Sequence, residues 1–289
     1  MVSLITLLFS SLLWGFFDLI GKKALEYLSI TQIVYLIFIS QTIIFLISLI
    51  YSNLIILSNY YFIYLAFIVI LNLIGLYCFL KAIKIQQISM SIPLLSYSPL
   101  FSVFFSSLIL NESLLLYQYF GITIIFIGSF VLYSKSLRLK DLLFSPFTLI
   151  SNKGAQLIIT VALIWSLVPV LDKKSLYYID IYFHGFLQSL FGILLLLIFI
   201  KTPKIKAFKV KNINKHLFLV LMLIIISFLA TIIQLVTIQI NYIAILEVFK
   251  RSVGIILSLF FGYIFFKERI NFQKILSIII IICGLIFVI

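Results

Sequence analysis

Three charged residues stand together inside an otherwise apolar stretch near the end of the chain. Glu247, Lys250 and Arg251 are spaced i, i+3 and i+4, which places all three on one face of an α-helix. Charges at such a depth are costly unless they face a partner or a cavity. Arginine offers a planar fork, and lysine a point charge, to a carboxylate or phosphate group. The cluster has one net positive charge, so it predicts either a cavity lining that binds an anionic group or a self-neutralising group that stabilises packing.

Asp18 is a further charge inside an apolar stretch, with Trp14 one helical turn before it and Lys22 one turn after it. Burial away from water favours the neutral form of a carboxyl group, so Asp18 is a candidate carrier of a coupling proton. Glu247 is the second candidate for that role. The alternative for Asp18 is a local ion pair with Lys22 at i+4.

The predicted substrate-binding site is completed by four uncharged side chains, Trp14, Asn72, Tyr97 and Trp165. Two prolines flank Tyr97, and prolines within a span kink the helix, which is tolerated beside a cavity. The tryptophans could instead belong to the aromatic belt at the membrane surface, and Asn72 could be a contact between helices. No metal and no cofactor are expected, because the two histidines lie in different spans and no D-x-x-D or H-x-x-x-H spacing occurs.

These residues belong to a chain of 289 residues of which 64% are hydrophobic and only 10% are charged. Because a soluble domain carries roughly 25% charged residues, lipid must form part of the solvent of this chain. Apolar runs of the roughly 20 residues that cross a bilayer recur from end to end, and their continuity predicts helices rather than the alternating strands of a barrel. The ten predicted spans are 3–21, 31–51, 61–80, 88–110, 117–134, 156–172, 181–200, 216–239, 243–266 and 271–289.

The two halves of the chain resemble each other. Trp14 and Trp165 stand 151 residues apart, and each is followed eight residues later by a pair of lysines. Glu112 and Glu268 stand 156 residues apart, and each precedes a glycine by sixteen residues; we interpret both as helix-end or loop residues. We therefore predict an all-α integral membrane protein of two inverted five-helix repeats. The predicted domains are a first repeat at 1–134, a linker at 135–152 and a second repeat at 153–289.

The net charge of +13 points to the membrane rather than to nucleic acid, which would need a solvated basic domain. The loops on one face of the ten-span arrangement carry 17 Lys and Arg residues, against 2 on the face with both termini. The positive-inside rule places the lysine-rich face in the cytoplasm and both termini outside. The expected location is the plasma (inner) membrane of a bacterium, with the lipid bilayer as a partner and a homodimer as an open alternative.

The chain resembles the ten-helix, EamA-type members of the drug/metabolite transporter superfamily over both halves. The residues that carry the resemblance are Trp14-Gly15, the block Leu-Ile-Leu-Asn-Glu112 with Gly121 and Gly128, and the block Gly262, Phe266-Lys267-Glu268 and Gly284. The resemblance implies two inverted five-helix bundles around a central cavity, with spans five and ten at the periphery. It also implies substrates such as amino acids, drugs, nucleotides and sugar phosphates, and termini in the cytoplasm, contrary to the charge count.

The resemblance also bears on the charged residues. Lys250-Arg251 looks like the Lys-Arg pair by which sugar-phosphate and nucleotide-sugar translocators contact the anionic group, although Glu247 departs from that pattern. Small multidrug members use a carboxylate eight residues before a span-one lysine. Here that position is Trp14, so their proton-coupled cation export transfers poorly.

We therefore predict a secondary transporter that moves a small polar or anionic metabolite by alternating access, with no enzymatic activity. The alternative within transport is a proton-coupled exporter of drugs or amino acids. The alternatives from other classes are a non-transporting membrane subunit and a lipid-modifying membrane enzyme. The expected partners are the small-molecule substrate and the bilayer.

The predicted orientation can be tested with a reporter fused to either terminus and active only outside the cytoplasm. The charge count predicts an active reporter at both ends. A terminal reporter found in the cytoplasm would contradict the orientation and favour the one that the resemblance implies.

Overall fold

The computed structural model describes residues 2–52, 58–134, 152–199, 213–269 and 271–288, and no strand occurs among them. Most of the predicted linker and of the lysine-rich segment 201–215 therefore lies outside the described residues. The helices, in chain order, are α1 (Val2–Ala24), α2 (Ile30–Ser48), α3 (Asn59–Ile85), α4 (Ile88–Leu94), α5 (Tyr97–Leu110), α6 (Leu116–Tyr133), α7 (Lys153–Ser175), α8 (Ile181–Phe199), α9 (Ile213–Ile240), α10 (Ile243–Phe266) and α11 (Phe272–Val288).

Seven of the described helical segments are long and apolar enough to cross a membrane: α1, α2, α3, the α4–α5 segment, α7, α8 and α9. Helices α6 and α11 contain shorter apolar helical stretches. Helix α10 is 24 residues long and is not among the seven, since it carries three of the few charges of the chain. The described part of the chain is thus helical, with the lengths and apolar composition of an integral membrane protein.

The predicted fourth span is broken, as its two prolines predict. A turn at Leu95 and Ser96 separates α4 from α5. Pro93 lies in the last turn of α4. Pro99 lies in the first turn of α5. Its missing N–H costs no hydrogen bond there, because the first N–H groups of a helix have no partner within the helix. The break sets the direction of α5 and of the side chains at its start.

Helices α5 and α10 end in the same way. Asn111 and Lys267 adopt left-handed backbone conformations, with φ of 56° and 53°, directly after the last helical turn. The following residues, Glu112 and Glu268, donate their backbone N–H to the carbonyls of Ser106 and Gly262. Each bond reaches back six residues across the left-handed residue, at which the chain turns off the helix axis.

The helices of the two halves pack against each other reciprocally. Helix α1 packs on α9 and α10, while α7 packs on α3 and α5; α2 packs on α8, and α6 packs on α11. Each contact of a first-half helix with the second half therefore has a counterpart with the halves exchanged. The space between α1 and α7 is surrounded by both halves.

The α6–α11 contact depends on glycines. A Cβ atom on Gly121 would lie 2.7 Å from the Gly284 carbonyl oxygen, and one on Gly284 would lie 2.8 Å from the Gly121 oxygen. The two backbones are thus in direct contact, as small residues allow between membrane helices.

Gly284→Ala and Gly121→Ala should lower the melting temperature, because the added methyl group must push two backbones apart. Overpacking of this kind typically costs about 1–3 kcal/mol. Gly21→Ala is the matched control, since its Cβ would meet only Leu80 at 3.7 Å and alanine favours a helix. Equal melting temperatures for the three variants would contradict the close contact of α6 with α11.

Candidate functional site

The three charges of α10 form one hydrogen-bonded cluster, as their spacing predicts. Lys250 Nζ lies 2.9 Å from Glu247 Oε1, and Arg251 Nη2 lies 2.8 Å from Glu247 Oε2. The exposed fractions are 0% for Glu247, 7% for Lys250 and 5% for Arg251. Glu247 is therefore enclosed behind its two cations and neutralises one of them.

Two other helices hold this cluster in place. Gln234 of α9 accepts a hydrogen bond from Lys250 Nζ at 2.8 Å. Ser98 of α5 accepts one from Arg251 Nε at 2.7 Å and donates one to Glu247 Oε2 at 2.8 Å. Ser98 follows the break in the fourth span directly, so the break positions the hydroxyl group that joins Arg251 to Glu247.

Lys250 and Arg251 each have N–H donors that none of the described residues accepts. A lysine has three N–H donors and an arginine has five, and the described residues accept two from Lys250 and two from Arg251. Both side chains line an internal cavity. The cluster can thus present one net positive charge and several donors to a ligand.

Two tryptophans flank the cations. Lys250 Nζ lies 5.0 Å from the Trp14 ring centroid, and the Arg251 guanidinium carbon lies 6.0 Å from that of Trp165. The two indole rings are 6.2 Å apart. Among the described residues, the buried Trp14 Nε1 has no hydrogen-bond partner. The rings form an aromatic wall on which a flat ligand could stack.

The cavity has a volume of about 100 Å³, several times the roughly 10–15 Å³ that one water molecule needs. It is lined by helices of both halves. Its polar and tryptophan residues are Trp14, Asp18, Gln41, Asn72, Trp165, Asp172, Gln188, Ser227, Thr231, Gln234, Lys250 and Arg251. Helices α6 and α11 contribute nothing to this lining.

Most of the site residues predicted from the sequence come together here. Lys250, Arg251, Trp14, Trp165 and Asn72 all line the cavity. Glu247 supports the two cations from behind instead of facing the cavity.

Tyr97 is a correction to the predicted site, because it does not line the cavity. Its ring packs edge-on against Phe126 and Phe130 of α6, at centroid distances of 4.8 and 6.1 Å. Consecutive helical residues point about 100° apart, and Ser98 is the residue of this turn that meets the charged cluster. Ser98, and not Tyr97, is thus the residue beside the break that contacts the charged cluster.

Asp18 lines the cavity and is 8% exposed. Among the described residues it has no hydrogen bond and no ion pair. The alternative of a pair with Lys22 is wrong, since Lys22 Nζ binds the Gln86 carbonyl and Glu268. Asp18 is therefore a carboxyl group in the cavity wall that attracts Lys250 and Arg251 without a hydrogen bond to either.

Asp172 is a cavity residue that the sequence analysis missed. It is 2% exposed, and its Oδ1 lies 3.1 Å from His184 Nε2. The predicted sixth span ended at this position, whereas α7 continues to Ser175. An acid directly before a lysine pair was the available signal, and it resembled an ordinary helix end.

The structure gives Glu112 and Glu268 a larger role than that of helix-end residues. Glu112 accepts from Lys173 Nζ at 2.7 Å and from the backbone N–H of Ile243, the first residue of α10, at 2.9 Å. Lys173 also donates to the Asn241 carbonyl at 2.7 Å. These four residues are the Glu112 cluster, which ties the end of α5 to α7 and to the start of α10.

The Glu268 cluster, formed by Glu268, Lys22, Gln86, Ile88 and Ser89, repeats the glutamate–lysine pair at the other end of α10. Glu268 lies 3.7 Å from Lys22 Nζ and accepts from the backbone N–H of Ile88 and Ser89, both at 3.2 Å. Lys22 donates to the Gln86 carbonyl at 2.9 Å. With 24 residues in α10, the two clusters stand roughly 36 Å apart along the helix. The charged cluster and the cavity lie between them.

The described residues contain no group of three or more His, Cys, Asp and Glu side chains that could hold a metal ion. The site therefore offers charge, hydrogen bonds and aromatic surface to a ligand.

Comparison with known proteins agrees with this architecture. A solved crystal structure, titled only as that of a protein, superposes with a TM-score of 0.70 at 13% identity, covering 99% of this chain and 96% of the other. No curated protein matches the sequence. At this identity, the solved structure shows the fold alone.

The family is shown by the sequence itself. The profile of the EamA-like transporter family matches residues 1–134 and again residues 152–289. These two matches coincide with the two halves whose helices pack reciprocally around the cavity. The chain belongs to the EamA-like transporter family.

Proposed function

We propose that this transporter moves a small polar metabolite carrying an anionic group, and that the group binds to Lys250 and Arg251. The observation that carries the proposal is the pair of cations in the cavity wall, which share hydrogen bonds with one carboxylate, that of Glu247, and have further N–H donors. A carboxylate or phosphate fits the planar fork of Arg251. The unpaired indole N–H of Trp14 offers one more donor to such a ligand.

We further propose ten membrane spans in two inverted five-helix repeats. An odd number of spans per repeat inverts the second copy. The reciprocal packing of the halves and the equal endings of α5 and α10 support this arrangement. The lysine-rich face, which includes the Glu268 cluster, is proposed to lie in the cytoplasm of a bacterium, and the Glu112 cluster outside.

Alternating access would then use the two end clusters as latches. In each cluster a helix-end glutamate pairs with a lysine of the opposite half. The same glutamate accepts a hydrogen bond from a backbone N–H at the start of a helix, that of Ile88 in α4 or that of Ile243 in α10. Opening one end would require breaking one cluster while the other holds. Both clusters contain a glutamate–lysine pair and a hydrogen bond to the start of a helix. This likeness supports two alternating closures, one on each side of the site.

Asp18 is the proposed carrier of a coupling proton. It faces the cavity, and none of the described residues forms a hydrogen bond with it, so protonation would break no hydrogen bond. Glu247 is less suited to this role, because Lys250, Arg251 and Ser98 all donate to its carboxylate. Exchange of one substrate for another is the alternative form of coupling.

Export of cationic drugs or amino acids is the second candidate function. Two carboxylates, those of Asp18 and Asp172, face the same cavity as the tryptophans, and aromatic faces attract cations. The two candidates differ in which charges of the cavity must be kept.

A ligand screen on the detergent-solubilised protein tests the proposal. We expect a sugar phosphate or another anionic metabolite to raise the melting temperature, since a ligand at 100 times its Kd stabilises the folded state by about 2.7 kcal/mol. The triple variant E247Q/K250Q/R251Q removes all three charges of the cluster, so that Glu247 is not left as a carboxylate without its cations, and it should lose this stabilisation. Arg251→Lys keeps the charge and should weaken binding, because the planar fork is lost.

The matched control is Lys81→Gln on the exposed end of α3. Anion stabilisation that persists unchanged in the triple variant would contradict the site. Stabilisation by cationic drugs that survives the triple variant and disappears in Asp18→Asn would establish the second candidate instead.

The latches can be tested by accessibility. In a Cys78→Ser/Cys283→Ser background, Asn72→Cys places a thiol in the cavity wall. Lys173→Gln should speed its labelling by an impermeant maleimide added outside cells, because the Glu112 cluster loses its ion pair. Lys22→Gln should not speed it, since it weakens the opposite end. Equal outside labelling rates in the two variants would mean that the clusters are not latches.

A further inference from the structure

Three buried polar side chains form a row that leads away from the cavity wall. Asp172 Oδ1 lies 3.1 Å from His184 Nε2, and His184 Nδ1 lies 3.1 Å from the Tyr61 hydroxyl. The exposed fractions are 2% for Asp172 and 0% for the other two. Asp172 is the member that lines the cavity. Burying ionisable side chains away from water is costly unless they are hydrogen-bonded and paired, so the row calls for a role.

The surroundings give the row little compensating charge. Asp180, at the start of α8, is the other charged group facing it, and its Oδ1 accepts from the backbone of Tyr182 and Phe183. Helices α2 and α9 present the rings of Phe45 and Phe228 beside Gly185. Lys173 is engaged in the Glu112 cluster. Within the described part of the chain, no lysine or arginine binds Asp172.

The row can keep both of its hydrogen bonds whether the His184 ring is neutral or protonated. With His184 neutral, its Nε2–H donates to Asp172 and its Nδ1 accepts from the Tyr61 hydroxyl. With His184 protonated, Nε2–H still donates to Asp172, and Nδ1–H donates to the Tyr61 oxygen after the hydroxyl turns. A hydroxyl can both donate and accept, so both hydrogen bonds survive the change. Histidine is the side chain that takes up a proton near physiological pH.

We infer that Asp172, His184 and Tyr61 form a proton-binding site that is coupled to anion binding in the cavity. This inference rests on the proposed function for its coupling, but not for the proton site itself. A hydronium ion in the open cavity supplies the proton: one of its O–H bonds breaks, an N–H bond of the imidazolium forms, and a water molecule remains. The added positive charge opposes Asp172 in the wall and favours an anion at Lys250 and Arg251. By linkage, a bound anion favours the proton equally.

The proton site is distinct from Asp18. Asp18 is on α1 and forms no hydrogen bond within the described part of the chain, whereas the row joins α3, α7 and α8 through two hydrogen bonds. A transporter with both could carry protons at two places, so the test must separate them by substitution.

The chain has only two histidines, so His216→Gln leaves His184 as the sole imidazole. Nuclear magnetic resonance of this protein, labelled with ¹⁵N-histidine, then reports the two ring nitrogens directly. Between about pH 5 and 8 we expect a reversible change from the neutral Nε2–H form to the imidazolium. In Asp172→Asn the change should be lost or should need more acidic conditions, while Asp18→Asn should leave it in place.

Sulfate is the probe for the coupling, because it keeps its charge over this pH range. At a concentration that raises the melting temperature, it should move the midpoint of the His184 change to higher pH. The triple variant E247Q/K250Q/R251Q should not show the shift.

The outcomes separate the claims. A His184 ring that keeps one protonation state over the whole range, or that titrates identically in Asp172→Asn, overturns the proton site and leaves the proposed function standing. A midpoint that a stabilising concentration of sulfate does not move overturns the coupling. If His184 changes state but no anion stabilises the protein, the proton site stands and the proposed anion site fails.

Discussion

The structure depends on how a few charges are accommodated in the apolar interior of α10. A buried carboxylate or cation without partners would be prohibitively costly. Glu247 therefore receives hydrogen bonds from Lys250, Arg251 and Ser98, while Gln234 takes another donor of Lys250. The break in the fourth span meets this requirement by bringing Ser98 to the cluster, and α9 meets it by supplying Gln234. Because Glu247 offsets only one cation, the remaining charge is turned toward the cavity and the tryptophans.

The same chemical pairing has a different purpose at the two ends of α10. In the Glu112 and Glu268 clusters a glutamate satisfies backbone N–H groups at a helix start and pairs with one lysine of the opposite half. The helix start itself favours the negative charge. In the middle, two cations share one glutamate and retain free donors. A transporter with one binding site and a closure on each side requires such an arrangement. Each end has a balanced glutamate–lysine pair, and the centre has two cations with N–H donors left for a ligand.

The sequence predicted the parts of this arrangement that depend on local patterns. Apolar runs predicted the helices, the prolines predicted the break, and the i, i+3, i+4 spacing predicted the cluster on α10. The repeat also predicted that Lys22 and Glu268 have counterparts 151 and 156 residues away. It did not predict that the glutamate of each half binds the lysine of the other, because an offset identifies equivalent residues and not contacting ones.

The sequence also left out or misplaced individual side chains. Tyr97 and Ser98 are neighbours beside the same proline, and only the packing of α5 against α6 and α10 decides which of them faces the charges. Asp172 was hidden by a helix boundary that ended too early. His184 stands 123 residues from Tyr61 and 12 from Asp172, so their row exists only through the packing of α3, α7 and α8.

The central claim is that the uncompensated positive charge of α10 binds the anionic group of the substrate. An experimental structure with the ligand that stabilises the protein most would test this claim directly. We predict the anionic group within hydrogen-bonding distance of Lys250 and Arg251, between Trp14 and Trp165. A ligand bound through a cationic group to Asp18 or Asp172, without contact to Arg251, would contradict the account.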